Sequence, residues 1–383
     1  MPTHSLRAVS IVAAILLTVG IGAAQAQEEL FISNAGNDSI TVYARRANGN
    51  VAPLRSLSGP ATGLSTPSGL AVDTVNNELF VVNGSNNSVT VYPRVANGNV
   101  APLRTIFGSA TGLNRPAALV VDTVNNELVV TDTGNNSITA YGRTANGNVA
   151  PVRTLSGATT GLRQSIGAFV DIVNNELFVL NAGNNSVTVY ARTANGNVAP
   201  LRTLSGPATG LSATLSMTVD TVNNELLVSN LSVASDLARV AFFARTANGD
   251  VAPLRIVSGT LTSLGLVPRG LSVDSANDEV VVVSEGDQSV STYARTANGN
   301  AAPLRTISGP ATGLNEPLFS AITTGAAPPP PSTIVPTLDP RALALLILIL
   351  AAIGTLAIRG KNSYTSRVLP RSTDRYLSAS CIR

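Results

Sequence analysis

The string Asn-Asn-Glu-Leu begins at Asn76 and returns at Asn125, Asn174 and Asn223, each time 49 residues further on. A degenerate copy, Asn277-Asp278-Glu279-Val280, follows after 54 residues, and a truncated one, Glu28-Glu29-Leu30-Phe31, precedes the first full copy by 49. Self-similarity at this period means a string of like supersecondary units, none of which can bury its apolar residues alone. A fold built around one unrepeated core is thereby excluded for most of the chain.

The unit is clearest in Pro67–Leu113. Four short apolar runs rich in Val, Ile, Thr and Tyr are separated by turn residues: Gly69–Asp73, Glu78–Asn83, Ser88–Arg94 and Pro102–Phe107. This composition suits β-strands. The Asn76-Asn77 and Asn97-Gly98 pairs tolerate positive φ, and Asn-Gly is the strongest short hairpin signal. Both are read as tight antiparallel turns, with Gly84–Asn87 a slightly longer polar loop. No stretch between Gln27 and Thr324 keeps an apolar period of 3.6 residues, so helix is not expected there. Four antiparallel strands per repeat make a propeller blade. First strands occur at Gly69, Ala118, Ala168, Met217, Gly270 and Leu318, and second strands open at Glu29, Glu78, Glu127, Glu176, Glu225 and Glu279. Third strands close at Arg45, Arg94, Arg143, Arg192, Arg245 and Arg295, and fourth strands open at Pro53, Pro102, Pro151, Pro200, Pro253 and Pro303. The repeats begin at a second strand and finish at a first, Leu318–Thr323. Those two pieces complete one blade if the ring closes, and closure removes the exposed edges of a linear array.

The pattern P-x-G-L-A-V-D-x-x-N-N-E-L-F-V-x-N-x-x-N-N-S-V-x-V-Y resembles the NHL repeat, and the likeness runs from Glu28 to about Thr324. It implies an all-β, six-bladed β-propeller of four-stranded blades, with a C-terminal strand shutting the N-terminal blade. It does not imply one activity, since such rings serve as scaffolds, binders and enzymes. The Asn-Gly-Asn-Val-Ala-Pro-Leu-Arg segment is longer than a minimal NHL blade requires.

Outside the repeats the composition changes. Residues 1–26 read as a secretory signal: Arg7, the apolar run Ala8–Gly22, and a small-x-small cleavage site at Ala24 and Ala26. The propeller is assigned to 27–324. Residues 325–340 hold four consecutive prolines and read as a stiff spacer. Ala342–Ile358 carries no charge over seventeen residues, the length of a short membrane span, so 341–359 is expected to be a transmembrane helix. Arg359, Lys361 and four further arginines follow in 360–383, the basic flank that prefers the cytoplasm. Val335-Pro336-Thr337-Leu338, the span and Arg359 resemble the IPTL-CTERM sorting signal of bacterial envelope proteins. That resemblance implies an exosortase-type partner and removal of the tail, although Asp339-Pro340-Arg341 replaces its usual Ser-Glu-Trp. The expectation is an exported, monomeric ring on the outer side of a bacterial envelope membrane.

The net charge of +3 arises at the ends; Gln27–Ala326 carries seventeen Arg against twenty Asp and Glu. No phosphate-binding face is expected, and nucleic acid is not an expected partner. The sole histidine is His4, within the signal, and the sole cysteine is Cys381, in the tail. Ser-His-Asp and Cys-His catalysis are therefore ruled out for the ring, and no intrachain disulfide can form. Carboxylates remain. Asp73, Asp122, Asp171, Asp220 and Asp274 end first strands; they either ring the channel and bind Ca²⁺ or accept turn amides, as Asx-turns do. The second-strand glutamates are expected to pair across the hairpin with the arginines closing the third strands. The tyrosines at Tyr43, Tyr92, Tyr141, Tyr190 and Tyr293, with Phe243 in blade five, occupy one strand position and are expected to pack between blades. Blade five alone has four extra residues, within Asn230–Leu237.

Asn-rich loops and the varied residues leading into the first strands share one rim. The ligand-face candidates there are Arg115, Arg163, Gln164, Arg269, Asp132, Asp236, Glu285 and Asp287. Three readings follow: a non-enzymatic scaffold presenting this rim to a protein or glycan, without a cofactor; a metal-dependent lyase or lactonase using channel carboxylates; or a structural surface repeat without a specific ligand.

Overall fold

The computed structural model describes residues 28–231 and 237–323, all within one compact unit. The expected signal with Ala24 and Ala26, the linker, the span, the tail, the Val335–Leu338 motif with Arg359, and Asp236 lie outside the described residues. Among the described residues no helix is long and apolar enough to cross a membrane. Helix is confined there to three single 3-10 turns, the longest three residues.

Six separate four-stranded antiparallel sheets follow one another along the chain. Blade two shows the plan: Pro67–Asp73, Glu78–Asn83, Ser88–Pro93 and Arg104–Ile106, each paired to the next. Blade one is made from both ends of the ring. Pro317–Ile322 pairs antiparallel with Glu29–Asn34, and Ser39–Ala44 and Arg55–Ser58 complete the sheet. The Thr323 N–H donates to the Glu29 carbonyl at 3.0 Å, so the seam is hydrogen-bonded to its last residue. Every first strand shifts register near its start, a bulge that turns the chain from the lead-in loop into the sheet.

The core consists of six apolar layers, one in each gap between neighbouring blades. Phe31, Ile40, Val42 and Leu57 of blade one pack on Leu70, Leu79, Val81 and Tyr92 of blade two. The alternate residues Phe80, Val82, Val89 and Val91 face Leu119, Leu128, Val130 and Tyr141 of blade three. Both faces of a blade are thus buried, which is why second strands such as Glu78–Asn83 read as unbroken apolar runs.

Two details of the sequence reading are corrected. Fourth strands open at arginine, not at the proline two residues earlier, and span only three or four residues. The Asn-Gly pair is no two-residue hairpin. It lies in the ten residues between Pro93 and Arg104, and Gly98 pairs in parallel with Leu57 on the outer strand of the preceding blade. The same bridge recurs at all six interfaces. Asn97 Oδ1 accepts the Ser56 N–H at 3.1 Å and Asn99 Oδ1 the Ala61 N–H at 2.8 Å. Gly98, at φ +73°, makes the reversal that a β-carbon would strain. The asparagines therefore clamp blade to blade.

Candidate functional site

The first strands surround the axis so closely that little space remains. A β-carbon on Gly69 would lie 2.5 Å from Ala118 Cα. The remaining axial cavity, about 150 Å³, is lined by residues such as Leu119, Met217, Leu271 and Phe319, and no ionisable side chain lines it.

The first-strand aspartates lie at the far end of this wall, each at most 1 % exposed. Each bonds an arginine of the next blade: Asp73 with Arg143 at 3.3 Å, Asp122 with Arg192 at 3.1 Å, Asp171 with Arg245 at 3.3 Å, Asp220 with Arg295 at 3.4 Å, and Asp274 with Arg45 across the closing interface. Each also accepts turn amides; Asp122 Oδ1 receives the Val124 and Asn125 N–H groups at 3.1 and 3.0 Å. In blade one Thr323 holds the aspartate's position, and its Oγ1 accepts from Arg94 at 3.0 Å. Among the described residues no group of three or more His, Cys, Asp or Glu is arranged to hold a metal ion.

The glutamates do not pair chiefly with the arginines that close the third strands. Glu78 bonds Arg104 at 2.7 Å, and Glu29, Glu127, Glu176, Glu225 and Glu279 bond Arg55, Arg153, Arg202, Arg255 and Arg305 likewise. The reason is parity. Glu78 stands opposite Pro93, so Arg94 falls opposite Asn77, whose carbonyl its N–H meets. Alternation then aims Arg94 at the preceding blade, where it meets Glu29 at 3.4 Å. The tyrosines fill the blade gaps, and their hydroxyls donate to the loop leading into their own blade; Tyr92 reaches the Thr62 carbonyl at 2.5 Å. Burial pushes Tyr43, Tyr92 and Tyr190 up to about 12, which keeps these hydroxyls protonated as donors.

The opposite rim carries the candidates for ligand contact. Its asparagines are largely structural: Asn83 Oδ1 accepts the Ser65 N–H at 3.1 Å, and Asn87 Oδ1 accepts the Arg115 N–H of the next blade at 2.7 Å. Asp132 occupies the position of Asn83 and is buried, so it is not part of an exposed rim. Its carboxylate accepts from Asn114 N at 2.8 Å and from Thr139 at 3.3 Å, and burial pushes it up to about 7. Arg269 and Glu285 satisfy one another in an ion pair, and Asp287 is exposed on the same blade. Arg115, Arg163 and Gln164 are exposed on neighbouring blades, and among the described residues they hydrogen-bond through their backbones alone. The structure thus divides the eight candidates: Arg115, Arg163 and Gln164 share one sector, Arg269, Glu285 and Asp287 lie on blade six, Asp132 is internal, and Asp236 is undescribed. The inter-blade arginines were legible only as a repeated residue type, because the sequence does not say which way a strand end faces.

Comparisons agree with this architecture. The NHL repeat family is matched over residues 113–141, the first three strands of blade three. A chain from a nidogen–laminin complex superposes with a TM-score of 0.56 at 15% identity, covering 77% of this chain and 98% of that one. A protein of Bacteroides fragilis provisionally named a 6-phosphogluconolactonase gives 0.51 at 13%, covering 79% and 99%. A functionally unknown protein of Desulfotomaculum acetoxidans gives 0.51 at 9%, covering 77% and 98%. At these identities the likeness is one of fold. No curated protein matches the sequence.

Proposed function

We propose that the chain is a non-enzymatic binding scaffold, exported to a bacterial envelope and held there by its C-terminal apolar segment, with the rim of lead-in loops turned to a partner. One observation carries this reading. The acidic groups of the first strands are bonded to guanidinium groups within the ring, whereas the exposed side chains of Arg115, Arg163 and Gln164 have no hydrogen-bond or ion-pair partner among the described residues. The sequence supplies the export signal, the uncharged stretch Ala342–Ile358 and the motif Val335–Leu338, which supports sorting by an exosortase-type enzyme. A metal-dependent lyase or lactonase would need carboxylates open to the channel. Asp122 and its equivalents hold arginine instead, which supports the scaffold.

The test takes the full chain in non-ionic detergent, immobilised and exposed to an envelope extract, in parallel with a lactone panel containing Ca²⁺ or Zn²⁺. Saturable retention of an envelope component without metal-dependent turnover is expected. Metal-dependent hydrolysis that is lost in a folded Asp122→Asn variant would replace the scaffold with the enzyme.

A further inference from the structure

Seventeen arginines lie in the ring, and thirteen of them pair with a carboxylate. Arg46 and Arg239 donate to the Asn277 side chain and the Gly210 carbonyl. Arg115 and Arg163 are the exceptions. Both are exposed, and no side-chain partner for either guanidinium is present among the described residues.

Their backbones, in contrast, are pinned on both sides. The Arg115 N–H donates to Asn87 Oδ1 at 2.7 Å, and its carbonyl receives the Thr133 N–H at 3.2 Å and hydroxyl at 2.7 Å. The Arg163 N–H donates to Asn181 Oδ1 at 3.2 Å, and its carbonyl receives the Gly183 N–H at 3.1 Å. The Arg163 stem lies over Gly183, where a β-carbon would come within 2.7 Å of its Cγ. The two loops adjoin. Asn136, three residues beyond Thr133, accepts the Gln164 N–H at 2.7 Å. Two guanidinium groups without a partner among the described residues therefore stand on anchored backbone in one sector of the rim, across blades three and four. The acid beneath them, Asp132, is internal and held largely neutral by burial below about pH 7. Of the exposed acids described on this rim, Asp38 and Glu316 belong to blade one and Asp287 to blade six, across the ring.

We infer that Arg115 and Arg163 form a two-point anion site that takes the carboxylates of an acidic polysaccharide. This deepens the scaffold reading and rests on it. Guanidinium groups match carboxylates in charge and in donor geometry. Anchored backbones reduce the ordering cost of binding. On the same loops the exposed Gln164 amide has no side-chain hydrogen bond among the described residues and suits sugar hydroxyls, whereas Asn114 and Asn135 bond one another at 2.9 Å and Asn184 accepts from Ser186 at 2.8 Å.

The full chain in non-ionic detergent is titrated with polygalacturonate, neutral dextran and poly-glutamate. Polygalacturonate is expected to bind, more weakly as salt rises, and Arg115→Ala with Arg163→Ala should weaken it about tenfold or more. Arg46→Ala should leave affinity unchanged, dextran should not bind, and the thermal midpoint of the double variant should match the parent. Absence of polygalacturonate binding, or equal affinity in the double variant, overturns the site while leaving envelope-extract retention to decide the scaffold. Poly-glutamate binding as tightly through the same arginines overturns the choice of a polysaccharide.

Discussion

At the scale of single residues, two buried ionisable groups set measurable expectations. Asp132 stands where blades one, two, four and five have asparagine, and burial lifts it to about 7. An unfolded aspartate titrates near about 3.9. The native state therefore binds the extra proton between these values, and stability falls as pH rises through that window. Asp132→Asn removes the ionisation. We expect it to raise urea stability at pH 8 by about 2–4 kcal/mol, with most of the gain gone by pH 5. A pH-independent effect would show that the carboxyl is not desolvated. Arg192 tests the inter-blade bond to Asp122, whose side chain is fully buried. Arg192→Ala strands that charge and should cost about 3 kcal/mol. Arg192→Ala with Asp122→Asn should recover part of the loss in a double-mutant cycle.

At the scale of strands and loops, the sequence shows runs and turns but not the faces they present. The second strands were legible to the residue, because burial on both sides leaves an unbroken apolar signal. The Asn-Gly pair was misread because its partner, the outer strand of another blade, lies some forty residues earlier in the chain. The glutamate partners were misread because strand ends that are close in space can point to opposite sheet faces. The tyrosine layer gives the corresponding test. Tyr141→Phe keeps the ring packed but leaves the Thr111 carbonyl without the hydroxyl it accepts at 2.6 Å. A loss of about 1–2 kcal/mol in chemical denaturation is expected. Blade five already carries Phe243 in this position, so the hydroxyl is not required for folding.

At the scale of the molecule, closure holds the ring. Every apolar layer is shared by two blades, so opening the ring at one gap exposes both faces of the layer held there. Ending the chain after Glu316 removes the strand Pro317–Ile322. The product should fail to elute as a compact species and should lose cooperative melting by circular dichroism. The seam itself is not special, because Thr323 and Glu29 meet as other first and second strands do. A circular permutant opened at Asn76-Asn77, with Thr323 joined to Glu28 through a short turn, should melt within a few degrees of the parent. A permutant that does not fold would mean that blade one has to close last.

The residues alone determined the number of blades, the four strands in each and the shared first blade, because a repeat that buries both faces writes its period into the chain. They also marked which rim varies. Only the tertiary structure decided what the charged residues do. An arginine near a strand end meets a carboxylate on its own blade or on the preceding one according to strand parity and the angle between sheets, and neither is encoded in local spacing. That geometry draws the aspartates into the scaffold and leaves Arg115 and Arg163 with their guanidinium groups open to solvent.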